Sequence, residues 1–205
     1  TRQQLQFLAI AGDAEYREDA ASLPNGLLTA NSRSALGSLG WRYLHPRAVI
    51  TQRLSFVAND FVNHGAVAQH LAEGHTQQAI WRGDVIVPIG HRWTFEGGAR
   101  FEAMTISQTA RKFANVTGGG VRVTVERSDS ASPATTSGWG QVTWRTDTGG
   151  LTAGVRATDR TSVTHGAVLP WVLAERTFGS TTLRAGAGRS AQFLDPLIVT
   201  VAPTD

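Results

Sequence analysis

"RWTFEGGARFEA" (residues 92–103) separates into two sets when every second residue is read. Trp93, Phe95, Gly97, Ala99, Phe101 and Ala103 fall on one side, and Thr94, Glu96, Gly98, Arg100 and Glu102 fall on the other. A period of two is that of a β-strand, whose successive side chains point to opposite faces. The fold turns on which face meets water. A soluble sandwich buries the aromatic face in a core, whereas a membrane barrel turns it outward to lipid and keeps its charges in the lumen.

The same sorting recurs along the chain. In residues 47–62, Ala48, Ile50, Leu54, Phe56 and Ala58 share a side with Gln52, against Thr51, Arg53, Ser55 and Asn59. Residues 77–87 set Ala79, Trp81, Val85 and Val87 against Gln78, Arg82 and Asp84. Residues 151–158 set Leu151, Ala153, Val155 and Ala157 against Thr152, Gly154, Arg156 and Thr158. Only 167–176, "AVLPWVLAER", is apolar on both sides, and Pro170 within it implies a weakly paired or bulged strand.

Nine strands are expected, near residues 4–15, 32–44, 47–62, 77–87, 92–105, 137–146, 151–158, 167–176 and 181–190. The connections alternate in length. "HP" (45–46), "PIGH" (88–91), "DTGG" (147–150) and "TFGS" (177–180) read as tight turns, while 16–31, 63–76, 106–136 and 159–166 read as long polar loops. Short turns at one end and long loops at the other is the asymmetry of outer-membrane barrels. Aromatic residues mark a level beside the short turns: Trp41 and Tyr43, then Trp93 and Phe95, then Trp144, with Phe178 inside the last turn. Trp and Tyr join an apolar body to a polar atom and concentrate at membrane interfaces.

Composition agrees with this reading without forcing it. The chain has 205 residues, 41% hydrophobic and 17% charged, with a net charge of +3. Lys112 is the only lysine, and no Lys/Arg cluster interleaved with aromatics appears, so nucleic acid is not an expected partner. The absence of cysteine removes disulfides, thiol nucleophiles and Cys-based metal sites. No run approaches the ~18 apolar residues of a spanning helix, so a membrane would be crossed by strands. The first residues, "TRQQLQFLAIAG", lack the features of a signal peptide.

Three stretches carry a family resemblance: "GWRYLHPRAVITQRLSFVANDFVN" (40–63), "WRGDVIVPIGHRWTFEGGARFEA" (81–103) and "GGLTAGVRATDRTSVTHGAVLPWVLAERTFGSTTLRAGAGRSAQFLDP" (149–196). Together they resemble the barrel of TonB-dependent outer-membrane receptors, over most of residues 32–196. The resemblance implies an all-β, antiparallel, up-and-down barrel in the bacterial outer membrane, with short periplasmic turns and long extracellular loops. It also implies uptake of a scarce solute (a siderophore-iron complex, a vitamin or a glycan) energised by the TonB complex through a plug domain. The chain departs from the family in having no visible plug, about nine strands where the family has 22, and no terminal aromatic. It is therefore expected to be an internal portion of a receptor, with 1–205 forming a partial barrel domain. An odd number of strands does not close as an up-and-down barrel, and its two edges need pairing.

The side chains expected on the lumen are Arg53, Arg82, Asp84, Glu96, Arg100, Glu102, Arg145 and Arg156, joined by Arg42 and Arg184. Basic residues prevail there, which favours an anionic solute or an acidic plug surface. The membrane-interface residues are Trp41, Tyr43, Trp93, Phe95 and Trp144, meeting outer-membrane lipid. "HGAVAQHLAEGH" (64–75) gathers His64, His70, Glu73 and His75, which are weak candidates for a transition metal or haem iron, but a solvated polar loop is the better account of them and their spacing matches neither H-E-x-x-H nor a zinc-finger pattern. No cofactor is expected.

Other motifs carry little. Arg82-Gly83-Asp84 lies mid-strand, Asn115-Val116-Thr117 is a glycosylation pattern without meaning in a bacterial chain, "TGGGVR" (117–122) lacks the lysine of a phosphate loop, and "GRSAQ" is not a nucleophile elbow. Glu96 and Glu102 share a face, but at ~3.3 Å per residue they stand roughly 20 Å apart. Catalytic carboxylate pairs lie within about 9.5 Å. Pairing with Arg100 is their expected role, and no enzyme is expected. The rival readings are a passive porin or adhesin barrel and a soluble β-sandwich binding module.

Overall fold

The computed structural model describes residues 2–18, 25–65, 68–116, 120–161 and 166–191. Ten antiparallel strands form a single sheet: β1 (Arg2–Arg17), β2 (Leu27–His45), β3 (Ala48–Gly65), β4 (His70–Ile89), β5 (Trp93–Val116), β6 (Gly120–Ala131), β7 (Ala134–Thr146), β8 (Gly149–Arg160), β9 (Ala167–Phe178) and β10 (Thr181–Gly188). Each pairs with its sequence neighbour except at one place, where the path runs β5-β7 and β6 pairs β5 above β7. β6 and β7 thus lie end to end along the 24-residue β5. Ser132 and Pro133 interrupt them, and the amide of Met104 donates to the Pro133 carbonyl at 3.0 Å, so the ladder continues through the break. Nine positions across the sheet hold ten strands. The path does not close, and β1 and β10 are its edges. No helix occurs among the described residues.

Among the described residues the sheet has no second layer. Accessible surface is 14186 Å², against roughly 9,300 Å² for a folded soluble monomer of this length. Ile106 is the only buried large apolar side chain among the described residues, whereas Leu54 stays 54% exposed and Phe7 77%. A sandwich needs two sheets packed face to face. That arrangement is not the one formed here.

The tight turns are where the Gly, Pro and Asp signals place them: residues 46–47, 90–92, 147–148 and 179–180. Gly90 (φ 68°) and Gly179 (φ 58°) adopt left-handed backbone that side-chain-bearing residues resist. The opposite end differs from expectation. Residues 63–76 are not a long loop, because β3 runs to Gly65 and β4 starts at His70. Most of 106–136 is likewise strand, being the upper half of β5, then β6, then the first residues of β7. The connections there shrink to 18–26, 66–69, 117–119 and 161–166. Backbone pairing continues where both faces have become polar, so the alternation that reveals a strand disappears although the strand does not. Pro170 also departs from expectation: it pairs with Val155 in unbroken register, and its carbonyl accepts from the Arg189 amide at 3.0 Å.

Registers carry the alternation across the sheet. Residues directly opposite on neighbouring strands share a face. One row runs Phe7, Leu39, Leu54, Trp81, Phe101, and the row beside it on the same face runs Leu5, Trp41, Gln52, Gly83, Ala99, Gly138, Ala157, Val168. From 5–11 on β1 through 35–43, 50–58, 79–89, 93–103, 138–144, 151–157 and 168–174 to 183–187 on β10, this face carries no charged residue, and Gln52 is its only strongly polar one. The central stretches are nine to eleven residues long. At ~3.3 Å per residue and a tilt of ~35–45°, they make a band about 25 Å tall, the height of the lipid-facing zone of a membrane barrel.

Candidate functional site

The polar face is the other side of the same band, and the registers bring every lumen candidate onto it. Arg53 lies opposite Arg82, and Arg82 lies opposite Arg100. Asp84 and Glu102 stand one row to either side, and Glu96 one row further on. Arg145 and Arg156 project from the same face of β7 and β8, since Arg145 pairs with Gly150 and Arg156 with Trp139. Arg42 and Arg184 join them.

Like charges directly opposite one another are unfavourable. Two of the three arginines in the row are compensated within their own strand. Arg82 Nε donates to Asp84 at 2.8 Å, and Arg100 Nη2 donates to Glu102 at 2.5 Å. Gln78 also donates to Glu102, at 2.5 Å. Residues i and i+2 on a strand share a face, which is what makes these pairs reachable. Glu96 departs from expectation: among the described residues no arginine meets it, and Gln141 Nε2 donates to it at 3.0 Å. Arg184 pairs with Glu175 across β9 and β10 at 3.3 Å. These pairs are only partly covered, and pairs of this kind are worth ~0–1 kcal/mol each. They order the surface more than they stabilise it.

The polar face changes character toward β10. Trp139, Leu169, Trp171 and Leu173 sit on it, and two glycines leave room for the indoles. A Cβ at Gly98 would stand 2.6 Å from the Gly83 carbonyl and 2.7 Å from the Trp139 nitrogen; one at Gly154 would stand 2.8 Å from the Trp171 ring. Gly98 is therefore no roomy position for a larger side chain, although it lies on the polar face.

The aromatics expected at a membrane interface occupy the apolar face beside the short turns. Trp93 and Trp144 are direct cross-strand partners with ring centroids 6.2 Å apart. Trp41 and Tyr43 stack at 6.1 Å. Phe95 lies one step inward, opposite Val87 and Val142.

His64, His70 and His75 lie at the far end and do not form one cluster. His64 and His70 meet edge to face at 4.4 Å, whereas His75 pairs with Asp60 on β3. Among the described residues no group of three or more His, Asp or Glu side chains is placed to hold a metal ion. Around them the formerly apolar face becomes ionic: Arg111 reaches Glu73 and Glu126, each at 3.3 Å. Asn25, in the β1-β2 connection, reaches past β3 and β4 to hold both the amide and the carbonyl of Phe113, at 2.7 and 3.0 Å, where β5 and β6 slip register.

No protein-family model and no curated protein matches the chain.

Proposed function

We propose that this chain is a stretch of wall from an outer-membrane β-barrel receptor that takes up a scarce solute, a siderophore-iron complex, a vitamin or a glycan, in an energy-coupled, TonB-dependent way. The observation that carries the reading is the uncharged band on one face of a single-layer sheet, set against arginines and carboxylates on the other. In water such a face would have to be covered by a second layer, and in lipid it needs none. The turns 46–47, 90–92, 147–148 and 179–180 are the periplasmic end in this reading, and the ionic ends of β3, β4, β5 and β6 stand outside the bilayer.

The polar face then lines the path of the solute, which the TonB complex would energise through a plug domain belonging to the same receptor. The test is uptake by cells expressing the full-length receptor as their only route for the solute. Loss of uptake when the proton-motive force is dissipated supports energy coupling. Undiminished uptake makes the barrel a passive pore and ends this reading.

A further inference from the structure

On the polar face of β1, β2 and β3, Gly40 leaves a hollow of about 170 Å³. Two cross-strand rows border it: Gln4, Arg42, Thr51 and Gln6, Gly40, Arg53. Gly40 has no side chain to fill the centre, and the nearest atom to a Cβ built there is 3.7 Å away, on Gln6. Arg42 and Arg53 occupy diagonal positions on adjacent strands, about 7–8 Å apart and within reach of long side chains. Both are exposed.

What sets this pair apart from Arg82, Arg100 and Arg184 on the same face is compensation, which among the described residues Arg145 and Arg156 also lack. Arg82 and Arg100 each have a carboxylate two residues along their own strand. Arg53 has Ser55 and Thr51 in those places, and Arg42 has Gly40 and Leu44. Among the described residues neither Arg42 nor Arg53 meets an acidic group. Arg53 is also placed directly opposite Arg82, a like-charge juxtaposition that favours a counter-ion on its other flank. Planar guanidinium groups suit two-pronged donation to oxyanions. The amides of Gln4 and Gln6 and the hydroxyl of Thr51 supply neutral donors around the same hollow.

We infer that the Gly40 hollow binds an oxyanionic group, phosphate or carboxylate, of a dissolved solute. The inference deepens the transport reading, in which this face is wet, but the site itself rests only on the residues around Gly40.

The test uses the full-length receptor in nanodiscs of zwitterionic lipid, with pyrophosphate as the probe in equilibrium titrations. Saturable binding is expected, weakened at least tenfold by Arg42→Gln with Arg53→Gln and unchanged by Arg92→Gln in a turn. Gly40→Leu, which fills the hollow and leaves the charge alone, should weaken it as well. Absence of saturable binding overturns the inference, and so does an equal loss in Arg92→Gln, which would mean diffuse attraction. A second arm adds anionic lipid to the nanodiscs: competition by it would make the ligand a lipid headgroup and overturn the solute assignment. Failure here leaves the membrane-wall reading intact, because that reading is decided by lipid contact and not by binding.

Discussion

On β3, β4 and β5 one and the same face is built in two ways along a single set of strands. Toward the short turns it carries Ile50, Leu54 and Phe56, Trp81, Val85 and Val87, and Trp93, Phe95 and Phe101, with no charge. Past Ala58, Ala79 and Ala103 it carries Asp60, His75, Glu73 and Arg111, several of them ion-paired. Pairing is antiparallel throughout, with a register shift near the far end of β3–β4 and in β5–β6 and none in β4–β5. The backbone therefore does not distinguish the two regions; only the side chains do. In the proposed membrane-wall reading, that change at one level on adjacent strands is a change of solvent, apolar below and aqueous above.

The largest expected effect breaks or confirms this contrast. Leu54 is 54% exposed in mid-band, beside Leu39 and Trp81, so arginine there can extend away from the sheet and enters no core. In water the change should cost less than about 0.5 kcal/mol. At the middle of a bilayer it should cost ~2–4 kcal/mol. Urea unfolding of the full receptor in lipid vesicles, with Thr109→Arg at the far end as comparison, reads the difference. Equal effects at the two sites would abolish the distinction between the regions.

A smaller effect sharpens the contrast between faces within the band. Gly98→Ala forces a Cβ against the Gly83 carbonyl and the Trp139 indole and should destabilise by ~1–3 kcal/mol. Gly37→Ala on the apolar face meets nothing within 4 Å and should be close to neutral. Reversal of that order in the same unfolding assay would mean that the register packing Trp139 and the Gly83 carbonyl against Gly98 is wrong. The smallest effect concerns the ionic end. Arg111→Ala removes contacts to both Glu73 and Glu126 yet should cost ~1 kcal/mol or less, and less still at high salt. A loss above about 2 kcal/mol would mean that this end is shielded from water.

The apolar band was readable from 92–103 and its repeats because one polar and one apolar face give a period of two. The strands of the far end were not, since polar residues on both faces leave no period. Gln108, Thr109, Arg111 and Lys112 look like loop and are strand. For the polar face, composition along single strands was enough to choose Arg53, Arg82, Arg100 and Glu102. It could not place Arg53 opposite Arg82, which needs the register of β3 on β4. The hollow at Gly40 needs three strands in register, and the tightness at Gly98 needs the side chain of Trp139, 41 residues further along the chain.

Leu54 and Ser55 are consecutive on β3, one in the apolar row and the other on the polar face, where Ser55 and Ser38 hydroxyls lie 3.1 Å apart. Nitroxides attached at each, in the full receptor in bilayers, can be relaxed by apolar oxygen or by a water-soluble paramagnetic complex. The membrane-wall account requires oxygen to dominate at Leu54 and the water-soluble complex at Ser55. Strong relaxation of both sites by the water-soluble complex would put the sheet in water, and protection of Leu54 from both agents would put it in a protein core; either result contradicts the account.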